Sequence, residues 1–324
     1  MAKRVEHEER LARTRDAEFW FGDGNIILVA RDVEFRVYKG ILADHSPVFD
    51  DMFSFPQPTP STTPSLATST GSTTDTCPFV HLTDSPEDLR HLLRVCMPKK
   101  GMFSPFTLNK PSYHMVSALI RLGHKYQMNG LTADAVGYLK QWYAPKYWSD
   151  WAGKVLYGLD APFQRVHAIG VVNLARIVDE PAMLPAALLV CCSLEQEIVD
   201  GGVREDGTRE TLPVEDIGRC FVARALLAQQ GFTLVLRLFT YPVSLGCTTL
   251  SQCERELQER QVEAMRYLSN AWHSDVFVHA AHILRSEMDC SSCQTMLIER
   301  YVRFGADLWH RLPYLFGVDL DRDD

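Results

Sequence analysis

Residues 25–53 read NIILVARDVEFRVYKGILADHSPVFDDMF, and this stretch decides the fold of the N-terminal part. Ile26, Ile27, Leu28 and Val29 form an unbroken apolar run of the length of a buried strand. After Arg31 and Asp32 the pattern changes to alternation, with Val33, Phe35 and Val37 on one face and Glu34, Arg36 and Tyr38 on the other. A period of two is a strand signal, so the pair predicts a hairpin. A short helical turn through Ile41 and Leu42 follows. Ser46 then caps a second helix with Pro47 at its first position, and Val48, Phe49, Met52 and Phe53 share one buried stripe.

The spacing Phe35-x-x-Tyr38-Lys39-x-x-Leu42-Ala43-x-x-Ser46-x-x-Phe49, with Asp23 just upstream, resembles the BTB/POZ domain signature. Tyr38 stands where that family usually has histidine. The resemblance continues to Tyr143, and the phrasing FGDGNIILVARDVEFRVYKGILADHSPVFDDMF with the later LGHKYQM is similar to fungal BTB-domain proteins. It implies an α+β BTB/POZ domain, a small sheet with a helical cluster, acting as a protein-interaction module without catalytic residues. Phe35, Leu42, Ser46 and Phe49 are then fold-holding residues. Many members of the family dimerise by packing or exchanging an N-terminal segment.

Going outward from this core, 324 residues predict two domains, and a hydrophobic fraction of 46% suffices for packed interiors. A net charge of -8 argues against nucleic acid, because no excess of Lys and Arg is at hand to displace phosphate counterions. Residues 1–18 are charged, through Lys3, Arg4, Glu6, Glu8, Glu9 and Arg10, and predict a frayed or flexible tail without a signal-peptide core. No apolar run reaches membrane-spanning length. Nine cysteines, an odd number, argue for a reducing, intracellular setting, nuclear or cytoplasmic.

The BTB domain is expected over 19–145, with a Pro/Ser/Thr-rich disordered insertion at 56–76 whose Thr59-Pro60 and Thr63-Pro64 would suit a proline-directed kinase. Residues 78–82 read as a strand. Ser85-Pro86 opens a helix carrying Leu89, Leu92, Leu93 and Cys96, Ser112 caps the next, and Thr132 caps a third. His81 and His91 read as packing residues. A linker at 146–161 carries Tyr147, Trp148, Trp151 and Tyr157, read as packing between domains. Residues 162–318 read as an all-helical C-terminal domain, with helices at 165–178, 185–194, 213–229, 251–272, 275–287 and 293–312. An ambiguous segment lies at 232–239 and a polar, exposed loop at 199–211. Residues 319–324 form an acidic tail.

Four cysteines carry the one candidate site, Cys247-x5-Cys253 and Cys290-Ser291-Ser292-Cys293. The second pair has the spacing that lets two thiolates reach one tetrahedral zinc. Fungal BTB proteins often have a similar pair before the last helices, a Cys-x-x-Cys opening the final one, and an ending similar to Leu308-Trp309-His310-Arg311-Leu312-Pro313 with Phe316-Gly317. The resemblance thus implies a structural zinc tying the last three helices together. Four reduced thiols and a redox-active Cys-x-x-Cys are the alternatives, the latter lacking a thioredoxin-like strand before it. His279 and His282 could replace a ligand, but with no acidic residue beside them they read as ordinary surface histidines. Cys191 and Cys192 read as core, and Cys77, Cys96 and Cys220 have no partner by spacing.

No Walker sequence, Gly-x-Ser-x-Gly elbow, kinase set or dinucleotide loop is found, so no catalytic residue is named. The expectation is a non-catalytic scaffold, transcription-associated or otherwise, that binds itself, another BTB protein or other proteins. A substrate adaptor for a cullin-type ubiquitin ligase is the alternative, for which the hydrophobic-x-Glu motif would fall in MPKKGMFSPF, where Ser104 stands. A zinc enzyme in the helical domain would need an open coordination position.

Overall fold

In the computed structural model, Ile26–Ala30 (β2) and Val33–Val37 (β3) form the hairpin that the alternation predicts, in antiparallel register from Ile26↔Val37 to Ala30↔Val33. Arg31 makes the turn possible by adopting a positive φ of 51°. The structure describes residues 13–55, 77–98, 106, 110–146, 148–151, 163–240, 242–270 and 288–320. The expectations for residues 1–12, the 56–76 insertion, Ser104, the 275–287 helix, His279, His282 and residues 321–324 lie outside them. The chain divides into two compact units, 1–136 with 204–208, and 137–203 with 209–324. The division falls earlier than the expected boundary at 145.

In the first unit the sheet has the order β1-β3-β2-β4. Thr14–Trp20 (β1) runs parallel to β3, and Phe79–Leu82 (β4) runs parallel to β2. β1 corrects the expected tail at its C-terminal end: residues 14–18 are strand. Their charged side chains, which read as tail, are what fasten it. Asp16 Oδ2 accepts from Arg90 Nε at 2.7 Å, and Glu18 Oε2 accepts from Arg94 Nη2 at 2.7 Å.

Helices close the other side. Lys39–His45 (α1) starts where Asn25 Oδ1 accepts the Lys39 N–H, and Pro47–Ser54 (α2) is capped by Ser46 Oγ on the Phe49 N–H at 3.1 Å. Pro86–Cys96 (α3) and Tyr113–Lys125 (α4) have the same device in Ser85 and Ser112. Asn129–Tyr143 (α5) begins a turn earlier than expected. Thr132 is therefore not its cap; it lies within the first turn, where its hydroxyl donates to the carbonyl of Met128, just ahead of the helix, and packs against Gly123. Phe35, Leu42, Phe49, Leu89, Leu92 and Leu119 are fully buried. His91 is buried too, with Nε2 2.7 Å from Glu205 Oε2, a partner no local spacing announces.

The second unit is helical: Trp148–Trp151 (α6), His167–Ile177 (α7), Leu184–Cys191 (α8), Glu197–Asp200 (α9), Val214–Leu238 (α10), Leu250–Asn270 (α11) and Ser291–Leu315 (α12), with a 3-10 turn at Pro181–Met183. Two expectations are corrected. The 199–211 loop contains a miniature antiparallel hairpin, Gly202–Val203 (β5) with Arg209–Glu210 (β6). Gly201 at φ 80° permits it, since a Cβ there would strike the Glu210 carbonyl. The ambiguous 232–239 segment continues α10 as helix through Leu238.

α10 packs on α11 and α12, and α8 packs on α7 and α12. Asp216, in the first turn of α10, is wholly buried and held bidentately by Arg176 (2.8 and 2.5 Å) with Arg219 at 3.2 Å. Trp148, expected at a domain border, is buried inside this unit against Tyr301, Trp309 and the Cβ-less Gly305.

Candidate metal centre

Arg300, on α12, positions the segment that leads into the site. Its guanidinium donates to the carbonyls of Leu238 (2.9 Å), Thr240 (2.7 Å) and Pro242 (2.8 Å), so one side chain gathers the end of α10 and the chain beyond it. A turn at Leu245 and Gly246 then delivers Cys247, whose N–H donates to the Ser244 carbonyl at 3.0 Å. Cys253 lies one turn into α11. Cys290 is the N-cap residue of α12, and Cys293 follows in its first turn.

The four expected cysteines come together. Their sulfurs all lie within 4.8 Å of one another, and Cys290 Sγ is 4.0 Å from Cys247 Sγ. Zinc–sulfur bonds of about 2.3 Å put the sulfurs of a regular tetrahedron about 3.8 Å apart, so a modest contraction completes the shell. Cys253 and Cys293 are buried, while Cys247 and Cys290 are half-buried. Among the described residues this is the one group of Cys, His, Asp and Glu side chains with metal-holding geometry.

The surroundings favour sulfur in its charged form unevenly. The Cys293 backbone N–H, against a smaller opposing effect of burial, draws the Cys290 thiol down to about 7. Burial pushes Cys293 up to about 12 despite the Ser244 backbone N–H, and burial also raises Cys253 despite its hydrogen bond with Thr249 Oγ1 at 3.2 Å. The N-terminus of α12, with its positive dipole end, faces these sulfurs. Spacing could find the four cysteines, but it could not find Arg300, Ser244 or Thr249, which support them from outside the motif.

The remaining cysteines are placed differently. Cys191 and Cys192 are buried core, as expected, but Cys220 joins them. Cys192 Sγ is 3.7 Å from the Cys220 carbonyl, and Cys220 Sγ is 3.9 Å from that of Leu188. Burial holds the Cys191 thiol well above its ordinary value, and the hydrogen bond with Cys220, with burial, does the same for Cys192. All three are buried packing groups.

The resemblance residues of the first unit also find their places. Ser46 Oγ, besides capping α2, donates to the Tyr126 carbonyl at 2.6 Å, and the Tyr126 ring stacks on Phe49 at 4.2 Å. Tyr38 donates to Asp23 Oδ1 at 2.5 Å and stacks on Phe21. That bond lowers the Asp23 carboxyl and raises the Tyr38 phenol. The BTB/POZ domain family model matches residues 23–142. The chain carries a BTB/POZ domain. No curated protein and no solved structure matches the chain.

A BTB domain is a protein-interaction module and generally non-enzymatic. In this one Phe35, Leu42 and Phe49 are fully buried and Ser46 nearly so, which suits packing and leaves them no free surface for a ligand. After the BTB domain comes a helical C-terminal region. No helix among the described residues is long and apolar enough to cross a membrane.

Proposed function

We propose that this chain is a non-catalytic scaffold whose BTB domain binds itself or another BTB protein, and whose helical region is stapled by a structural zinc on Cys247, Cys253, Cys290 and Cys293. The observation that carries the zinc reading is the convergence of four sulfurs from two distant segments on one point. An all-sulfur set suits a soft, tetrahedral ion, and four protein ligands leave no position for substrate or water. Bound there, zinc would supply cohesion, joining the start of α11 to the start of α12. Cys247 and Cys290 would hold it from the half-buried side and Cys253 and Cys293 from the buried side. The narrower resemblance to fungal BTB-domain proteins supports the same reading through the Cys-x-x-Cys that opens α12.

Metal analysis of full-length protein never exposed to chelator should find about one equivalent of zinc, and cobalt put in its place should give the spectrum of a tetrahedral thiolate site. Less than half an equivalent sinks the site. For the scaffold half, sedimentation equilibrium should find self-association or a complex with a second BTB protein. A monomer that binds neither removes it.

A further inference from the structure

The core-facing side of α10 is made by Cys220, Ala223, Leu227, Leu234 and Leu238, all buried. On the far side the helix ought to be charged, and it is not. At about 100° per residue, Phe221, Ala225, Ala228, Phe232 and Leu236 fall within an arc of about 80°, running along about 22 Å of helix. Phe221 is 54% exposed, Phe232 40% and Leu236 49%, and both alanines are exposed. A solvated helix face has no reason to keep such a stripe.

The order of residues along the stripe points to its occupant. Phe221-x3-Ala225-x2-Ala228-x3-Phe232 is large, small, small, large, with the same spacing in either direction. An isologous contact demands a patch complementary to itself, and an antiparallel helix pair with its dyad between residues 226 and 227 meets that demand. Ala225 then lies opposite Ala228 of the second copy, letting the two backbones approach. Phe221 lies opposite Phe232 at both ends, and the half-buried Ile217 opposite Leu236. The charges agree with this direction. The first turn of α10 carries Glu215 and the last carries Arg237, so an antiparallel mate brings unlike charges together while a parallel one pairs like with like. We propose that the exposed face of α10 is a two-fold contact with a second copy of this chain, separate from any association through the BTB domain.

The full-length chain with p-benzoylphenylalanine in place of the exposed Gln229 tests this directly. Light and 15N-labelled chains are mixed, irradiated and digested. The expected product is a light–heavy peptide joining residue 229 to the neighbourhood of Arg224 on the other copy. Cross-links confined to one chain, or to another region of the second copy, or none, overturn the contact. As a second arm, Phe221→Glu with Phe232→Glu should halve the assembly mass in sedimentation at unchanged helical circular dichroism, with Val203→Glu as the exposed control. An unchanged mass overturns the proposal. Any association that persists in the double variant belongs to the BTB domain, so failure of one contact is told apart from failure of the other.

Discussion

Asp16 shows how a single side chain replaces a missing piece of backbone ladder. Pairing of β1 with β3 slips between Arg15 and Trp20, and over that interval Asp16 Oδ1 accepts the N–H groups of Glu18 (2.9 Å) and Phe19 (2.8 Å). Burial opposes its charge, but Arg90 and these two N–H groups outweigh that and hold the carboxyl below its ordinary value. An acid lowered on folding contributes stability above its unfolded value, and that contribution is lost as pH falls through the folded one. Asp16→Asn should therefore cost about 1–3 kcal/mol at neutral pH by urea denaturation, with the difference from the parent shrinking below about pH 4. Ser46→Ala removes a buried cap and leaves the Tyr126 carbonyl without its donor, for a loss of about 1–2 kcal/mol in the same assay. Ser46, Ser85 and Ser112 were legible as caps because the serine and the N–H it serves lie three residues apart. Asp16 was not, because Arg90 reaches it from another element and no pattern within residues 1–18 hints at it.

Among the elements, those whose evidence is local could be read and those whose evidence is tertiary could not. The β2–β3 hairpin declares itself by alternation. In residues 232–239 the same alternation misleads: Phe232, Leu234, Leu236 and Leu238 look like one face of a strand, yet packing on α11 and α12 keeps α10 helical through Leu238. The β5–β6 hairpin has two-residue strands, too short for any period to register. On α12, Gly305 is the point where Trp148 sits against backbone. A Cβ would collide with the indole, so Gly305→Ala should lower the thermal midpoint, by about 1–3 kcal/mol in free energy, despite the better helix propensity of alanine. The four cysteines that the structure clusters were readable as a group from Cys-x-x-Cys spacing and the resemblance. Cys253→Ser should reduce bound zinc from about one equivalent to under half while leaving the BTB domain folded, measured by metal analysis and circular dichroism.

For the whole molecule, the division into two compact units predicts that they respond separately to metal removal. A chelator should raise amide hydrogen exchange across α10, α11 and α12 and leave β2, β3 and α3 unchanged; equal deprotection of both would mean that the metal supports neither unit selectively. A net charge of -8 was legible at once. The boundary at 136 was not, since α5 continues as helix through it. The stretch from 254 to 289, enclosed between Cys253 and Cys290, carries a further consequence. Closing a loop costs entropy only logarithmically in its length, so doubling the enclosed stretch adds about 0.6 kcal/mol. Under the zinc reading, the sequence that separates Cys253 from Cys290 can lengthen at small thermodynamic expense as long as both sulfurs still reach the metal.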